Sequence, residues 1–288
     1  MNDMKKNILL TVLLSFCLVS CYKEAPIQAD KDAPKYELED SSDPARHFIY
    51  EYHKKTGVFI LDEYDDTDYL WNVSSISNYR LKRIGEGVLE DAVKYIDDVL
   101  LSCYTDDFAK KYMPIHIFLA DSVSHSTYKT GAFYDMPCIY GRSYIAIGQL
   151  REENFPMDAD KKLEATGKIH GRLWGNFICR NGLVTLPEGY FSPSESYYSQ
   201  SVTAEELKQV GLWAHDELNY LENMAPDRYG DIAHFVEMIT THSEQEMKQE
   251  MEGYENLQIK YSILVSTVKE ICGTDLQAIG NEKSKSRQ

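Results

Sequence analysis

The stretch from Thr166 to Arg180, reading TGKIHGRLWGNFICR, constrains the fold of this chain more than any other. Its flanks frame a helix. Asp158 or Asp160 can cap free amides at the start, and Asn181-Gly182 follows the end. Gly171 and Gly175 stand one turn apart inside it, and each costs roughly 0.8–1 kcal/mol relative to alanine. Something should compensate. One reading is a neighbouring backbone or ring that approaches where a Cβ would block it; the other is that the glycines are what drift left where larger residues once stood.

A zinc peptidase helix carries H-E-x-x-H, so that two imidazoles one turn apart face one metal and the glutamate beside them serves as general base. In the frame that fits best here, Gly171, Arg172 and Gly175 occupy those three positions. The frame beginning at His170 puts Gly171 at the base and Trp174 at the second imidazole. Neither frame holds zinc by this route.

Other pieces occur in an order that extends the comparison: Tyr64–Trp71 (YDDTDYLW), Pro114–Ala120 (PIHIFLA), Ile169–His170, His234–Ile239 (HFVEMI) and Lys260–Leu276. From about Ala45 to Ile279 the chain thereby resembles a family of zinc-binding metallopeptidase lipoproteins of glycan-scavenging Gram-negative bacteria. The resemblance implies an α+β, zincin-like fold of the gluzincin type, with a small mixed sheet packed on the motif helix and a mainly helical C-terminal lobe. It also places the third metal ligand on a later helix, in a segment of D-F-A-E-M type, where Glu237 stands here and His234 replaces the aspartate. One ligand position is kept and the general base is lost, so no catalytic residue and no cofactor are expected. Arg172, in the place of the glutamate, is expected either to put its charge near Glu237 where the metal's would be or to lie on the solvated face. A site built from His170, His234 and Glu237 is the arrangement an active zinc enzyme with replacement ligands would need, and His170, Trp174 and His234 are the candidate pocket residues.

Met1–Ser20 reads as a lipoprotein signal peptide: Lys5 and Lys6, the apolar run Ile8–Leu18, then Leu18-Val19-Ser20-Cys21 as a lipobox. Cleavage makes Cys21 the lipid attachment site, and several acyl chains anchor where one does not. No aspartate follows Cys21, which favours the outer membrane, facing the periplasm or the cell exterior. Residues 21–44 carry three prolines and many charges, as a flexible tether does. The folded domain is expected over 45–280, with a disordered tail over 281–288.

The formal charge of −16 makes nucleic acid an unsuitable partner. A peptide, protein or glycan ligand remains open, as does the lipid-anchored membrane. Cys103, Cys138, Cys179 and Cys272 show no C-x-x-C spacing, so they support neither a thiolate metal site nor a redox motif; disulfides and free buried thiols both stay open.

Periodicity predicts an amphipathic helix over Gly85–Ser102 and strands of one sheet at Pro114–Ala120 and Ser143–Gly148. The aromatics of Leu183–Ser201 are either ligand-stacking or anchored on the body. The box Thr203-Ala204-Glu205-Glu206 predicts a helix to about Met224, and further helices are expected over Asp231–Glu250 and Asn256–Cys272. Three functions follow as expectations: an inactive metallopeptidase-like lipoprotein acting as a binding or accessory component, an active enzyme with non-standard ligands, or a structural envelope lipoprotein.

Overall fold

The computed structural model describes residues 35–70, 79–126, 133–217, 219 and 221–287. The leader Met1–Ser20, Cys21 and most of the tether lie outside the described residues, as does Trp71. The chain divides into two units at Leu38/Glu39, and among the described residues every helix and strand belongs to the second.

Asp43 caps α1 (Pro44–Thr56) by accepting from the Arg46 amide at 2.9 Å, and Gly57 ends it at φ 79°. Then come β1 (Phe59–Leu61), α2 (Asp66–Leu70), β2 (Tyr79–Arg83), α3 (Leu89–Val99) and α4 (Asp106–Tyr112). The predicted helix over 85–102 is present, with a 3-10 turn at each end of α3. The Arg46 guanidinium of α1 grips both Asp62 oxygens at 2.6 Å.

The sheet is mixed and six-stranded, in the order β1-β3-β6-β5, with β2 and β4 paired on β3. β3 runs His116–Ser126, β4 Phe133–Asp135, β5 Cys138–Tyr140 and β6 Tyr144–Ile147. β3 is parallel to both β1 and β6, in register Ile117↔Ile60 and Ile117↔Ile145. Ile117 through Ala120 and all of β6 are buried, as continuous apolar runs are when both faces of a parallel pair are covered. β5 closes one edge antiparallel to β6.

Next, α5 (Ala159–Arg172) starts at the Asp158 cap. It continues as a π-helix over Leu173–Cys179, ending at Gly182 with φ 71°. The short α6 (Glu188–Phe191) follows. Its residues Tyr190 and Phe191 are buried, and the Tyr198 hydroxyl donates to Asp231 at 2.7 Å, so three of the loop's aromatics are anchors on the body.

The predicted helix from Thr203 to Met224 does not form. Thr203 does donate its amide and hydroxyl to the Glu206 carboxylate, but the chain turns at Gly211, φ 80°. The competing interactions are non-local: Val202 donates to Asn223 and Ala225 to Gln200, and Val202, Leu207, Leu212 and Ala225 bury one another. A cap stabilises a helix by about 1 kcal/mol, less than such a cluster contributes.

The helix expected over 231–250 is two: α7 (Arg228–Thr241) and α8 (Glu244–Glu250), separated at Ser243, which forms a capping box with Glu246. α9 (Glu255–Cys272) fits its prediction. The expectation of a disordered tail is corrected: α10 (Leu276–Lys283) and a 3-10 turn carry residues to Arg287. The Lys283 ammonium donates to Asp98 at 2.9 Å. All four cysteines beyond Cys21 are free thiols, raised by burial.

One buried ion pair ties the helical lobe together. Lys260 on α9 donates to Asp231 on α7 at 2.6 Å, both side chains fully buried, and also to Ser194 and the Gly211 carbonyl. Burial pushes Asp231 up and Lys260 down, and their mutual attraction opposes both shifts. Lys260→Ala strands the carboxylate, so chemical denaturation should show a loss of roughly 3–5 kcal/mol; a loss below about 1 kcal/mol would mean that solvent reaches the site.

Candidate functional site

The faces of the α5–π helix divide the work. Ile169, Leu173, Trp174 and Ile178 are wholly buried in the core. On a second face, Gly167, Gly171 and Gly175 form a ridge against α7. A Cβ at 171 would lie 2.5 Å from the Ala233 carbonyl oxygen, and one at 175 would lie 2.3 Å from that of Tyr229. At Gly167 a Cβ would stand 2.6 Å from Thr241 Cγ2. The partners Tyr229, Ala233, Glu237 and Thr241 are themselves four residues apart, so two four-residue ridges interlock. The close approach expected of the glycines is present.

The third face, at the same spacing, is Lys168, Arg172, Asn176 and Arg180, and it lines a cleft of about 310 Å³ together with Asp216, Glu217, His234, Glu237, Tyr79 and Tyr140. The Lys168 ammonium lies 2.6 Å from Glu217 and 3.2 Å from Glu237. Burial raises the Glu237 carboxyl, and Lys168 pulls against that rise. Burial acts the same way on Glu217, but there the hydrogen bond and charge of Lys168, with the His234 and Arg172 charges, together outweigh it and the carboxyl falls below its usual range.

Arg172 does line the cleft. Its direct partner, however, is the Cys138 carbonyl at 3.1 Å, not Glu237. The Glu237 Cβ and Cγ sit beside Gly171 and Gly167, which brings the carboxylate to Lys168, a turn earlier. Arg172 thus brings its charge to the cleft and favours the ionised Glu237, as expected, while the direct ion pair to that carboxylate is made by Lys168. Arg180 pairs with Asp227 at 2.7 Å, and Asp227 also caps α7.

His170 and Trp174 are not pocket residues. The Trp174 indole donates to the Tyr104 hydroxyl at 2.9 Å, which leaves the Tyr104 proton for His170 Nδ1 at 2.7 Å. Burial lowers the fully enclosed His170 imidazole to about 3. His234 does line the cleft, its imidazole lowered to about 4 by burial and then by the Lys168 charge. With His170 held in the core, a site from His170, His234 and Glu237 does not assemble.

Zinc does not fit these residues. The two imidazole positions are glycines whose side-chain space is filled by α7, and Glu237 is engaged by an ammonium. Among the described residues no group of three or more His, Cys, Asp or Glu is placed to hold a metal ion. Sequence reasoning misses Lys168, Glu217 and Tyr104. The four-residue ladder from Lys168 to Arg180 is a readable signal for the first; nothing local marks the other two.

The sequence matches no family model, and it matches no curated protein. The structure is similar to that of a putative zinc-binding metallo-peptidase from Bacteroides caccae ATCC 43185, with a TM-score of 0.54 and 15% identity over 86% of this chain and 97% of that one. The chain therefore has a metallopeptidase-like fold.

Gly171→Ala separates two effects. Helix propensity alone favours alanine by about 1 kcal/mol, whereas the Ala233 contact predicts a net loss of about 1–3 kcal/mol; denaturant unfolding reads the sign. The histidines generate a second expectation. Free imidazole titrates near 6.5, so between that value and their lowered folded values the unfolded chain binds more protons. Their contribution is complete above about pH 6.5 and is lost as pH falls, by up to ~1.4 kcal/mol per pH unit for each. His170→Gln should flatten that slope between pH 7 and 5. An unchanged slope would show that His170 is protonated in the fold.

Proposed function

We propose that this chain is a lipoprotein of the cell envelope whose metallopeptidase-like fold has lost hydrolysis and serves as a binding or accessory component. The supporting observation is the contact between Gly171 and the Ala233 carbonyl, 2.5 Å from where a Cβ would stand. A zinc-holding helix needs imidazole side chains at 171 and 175 projecting towards a metal; here α7 backbone occupies that space.

Lys168 supports the same reading. An ammonium between two carboxylates offsets part of the charge of Glu217 and Glu237, as a metal ion would, without offering an activated water. What remains is a polar cleft of about 310 Å³, at the small end of ligand sites. The lipobox at Leu18–Cys21 supports attachment at the outer membrane, and the cleft's mixed charge suits a small polar ligand or the end of a peptide, protein or glycan chain.

Metal content and peptide hydrolysis test the reading together. Purified mature protein, dialysed and analysed by mass spectrometry, should hold zinc far below one equivalent and show no chelator-sensitive cleavage of casein. Stoichiometric zinc that Glu237→Ala releases, together with such cleavage, would overturn it. In cells, Cys21→Ser should shift the chain from the membrane to the soluble fraction; persistence in the membrane would remove the lipoprotein assignment.

A further inference from the structure

The cleft holds three cations from one helix ladder, and two of them are already answered by carboxylates. Lys168 is paired with Glu217 and Glu237, and Arg180 with Asp227. Arg172 is different. Among the described residues its hydrogen bond runs from Nη1 to the Cys138 carbonyl at 3.1 Å, and no carboxylate there pairs with it. A guanidinium offers five donors in a planar fork, so most of its capacity is unspent. Acid is not scarce: the chain has 46 Asp and Glu against 30 Lys and Arg. An arginine left without a carboxylate in a polar cleft of so acidic a protein is a placement that a ligand explains.

We propose that Arg172 is the anion-binding residue of this cleft and that its ligand is a small carboxylate. This rests on reading the cleft as a binding site and names what it binds. The planar fork matches a carboxylate through two parallel charge-assisted bonds. The surroundings fit a singly charged partner better than a dianion. Lys168 is one positive charge shared between Glu217 and Glu237, and Asp216 also lines the cleft, so a phosphate dianion would meet more repulsion there than a singly charged carboxylate does. Beside Arg172 the cleft wall is Tyr79, Ile139 and Tyr140, with Asn176 one turn along the helix. That wall gives the body of the ligand aromatic surface and one amide, and the volume of about 310 Å³ admits a molecule of monosaccharide size. A uronic acid and an N-acylated amino acid share this chemistry.

Titration calorimetry on the full mature chain distinguishes them. The probes are D-galacturonate and N-acetyl-L-phenylalanine, each beside its uncharged counterpart, the methyl ester and the amide, with inorganic phosphate as a third anion. At least one acid should bind, its uncharged counterpart at least about tenfold more weakly, and the acid that binds identifies the source. Arg172→Met should weaken that acid by about tenfold or more. Arg172→Lys keeps the charge without the fork, and should weaken it several-fold even if the methionine variant unfolds. Failure of both acids to bind would overturn the proposal, as would equal affinity for acid and uncharged counterpart, tighter binding of phosphate, or wild-type affinity in Arg172→Lys. Chelator-sensitive hydrolysis would instead defeat the reading of the fold as inactive, and it leaves the Arg172 titration unaffected.

Discussion

The contact between the glycine ridge of α5 and the backbone of α7 is the constraint on which the rest of the site depends. Helices usually pack 8–10 Å apart because side chains hold them there. At Gly171 and Gly175 the α7 carbonyls of Ala233 and Tyr229 enter space that any side chain would need. That approach compensates for two poor helix formers through dispersion and exclusion of water. It also decides chemistry, since the surface that would have presented metal donors has become a packing surface.

Once α5 and α7 are locked at that distance, the cleft beside them is set. Lys168 on α5 and Glu237 on α7 meet in it, and Glu217 joins them from the loop that precedes α7. The Lys260–Asp231 pair holds the other side of α7 against α9, so α7 is held on both flanks. A buried pair of this kind is weak evidence for stability, but it fixes which face of α7 turns to the cleft. Lys283 adds a further tie, joining α10 to Asp98 beside α3.

Much of this fold is legible in the sequence. The helix from Asp158 to Gly182, the strands around Ile117 and Ile145, and the helix ending at Cys272 all carry strong local periodicity, and each forms where expected. The failures share a cause. Thr203 and Glu206 make their cap, yet long-range pairing of 200–202 with 223–225 overrides the helix behind it. Gly280, the residue after which a loose tail is expected, is a second close approach, with the Ile239 carbonyl directly against it. His170 and Trp174 resemble pocket residues in sequence because a helix presents every residue to some side, and periodicity alone does not say which side is the cleft.

What the sequence settled by itself is chemical identity. Residues 171 and 175 have no donor atoms whatever the fold, and the spacing of Lys168, Arg172, Asn176 and Arg180 puts one polar face on one helix. Tertiary structure alone decided who meets whom. Lys168 and Glu217 are 49 residues apart, and neither their pairing nor the bond of Arg172 to the Cys138 carbonyl has a local signature. Charge pairing depends on distances of a few ångströms, and those are set by the path of the whole chain and by how closely two glycine-lined helices can approach.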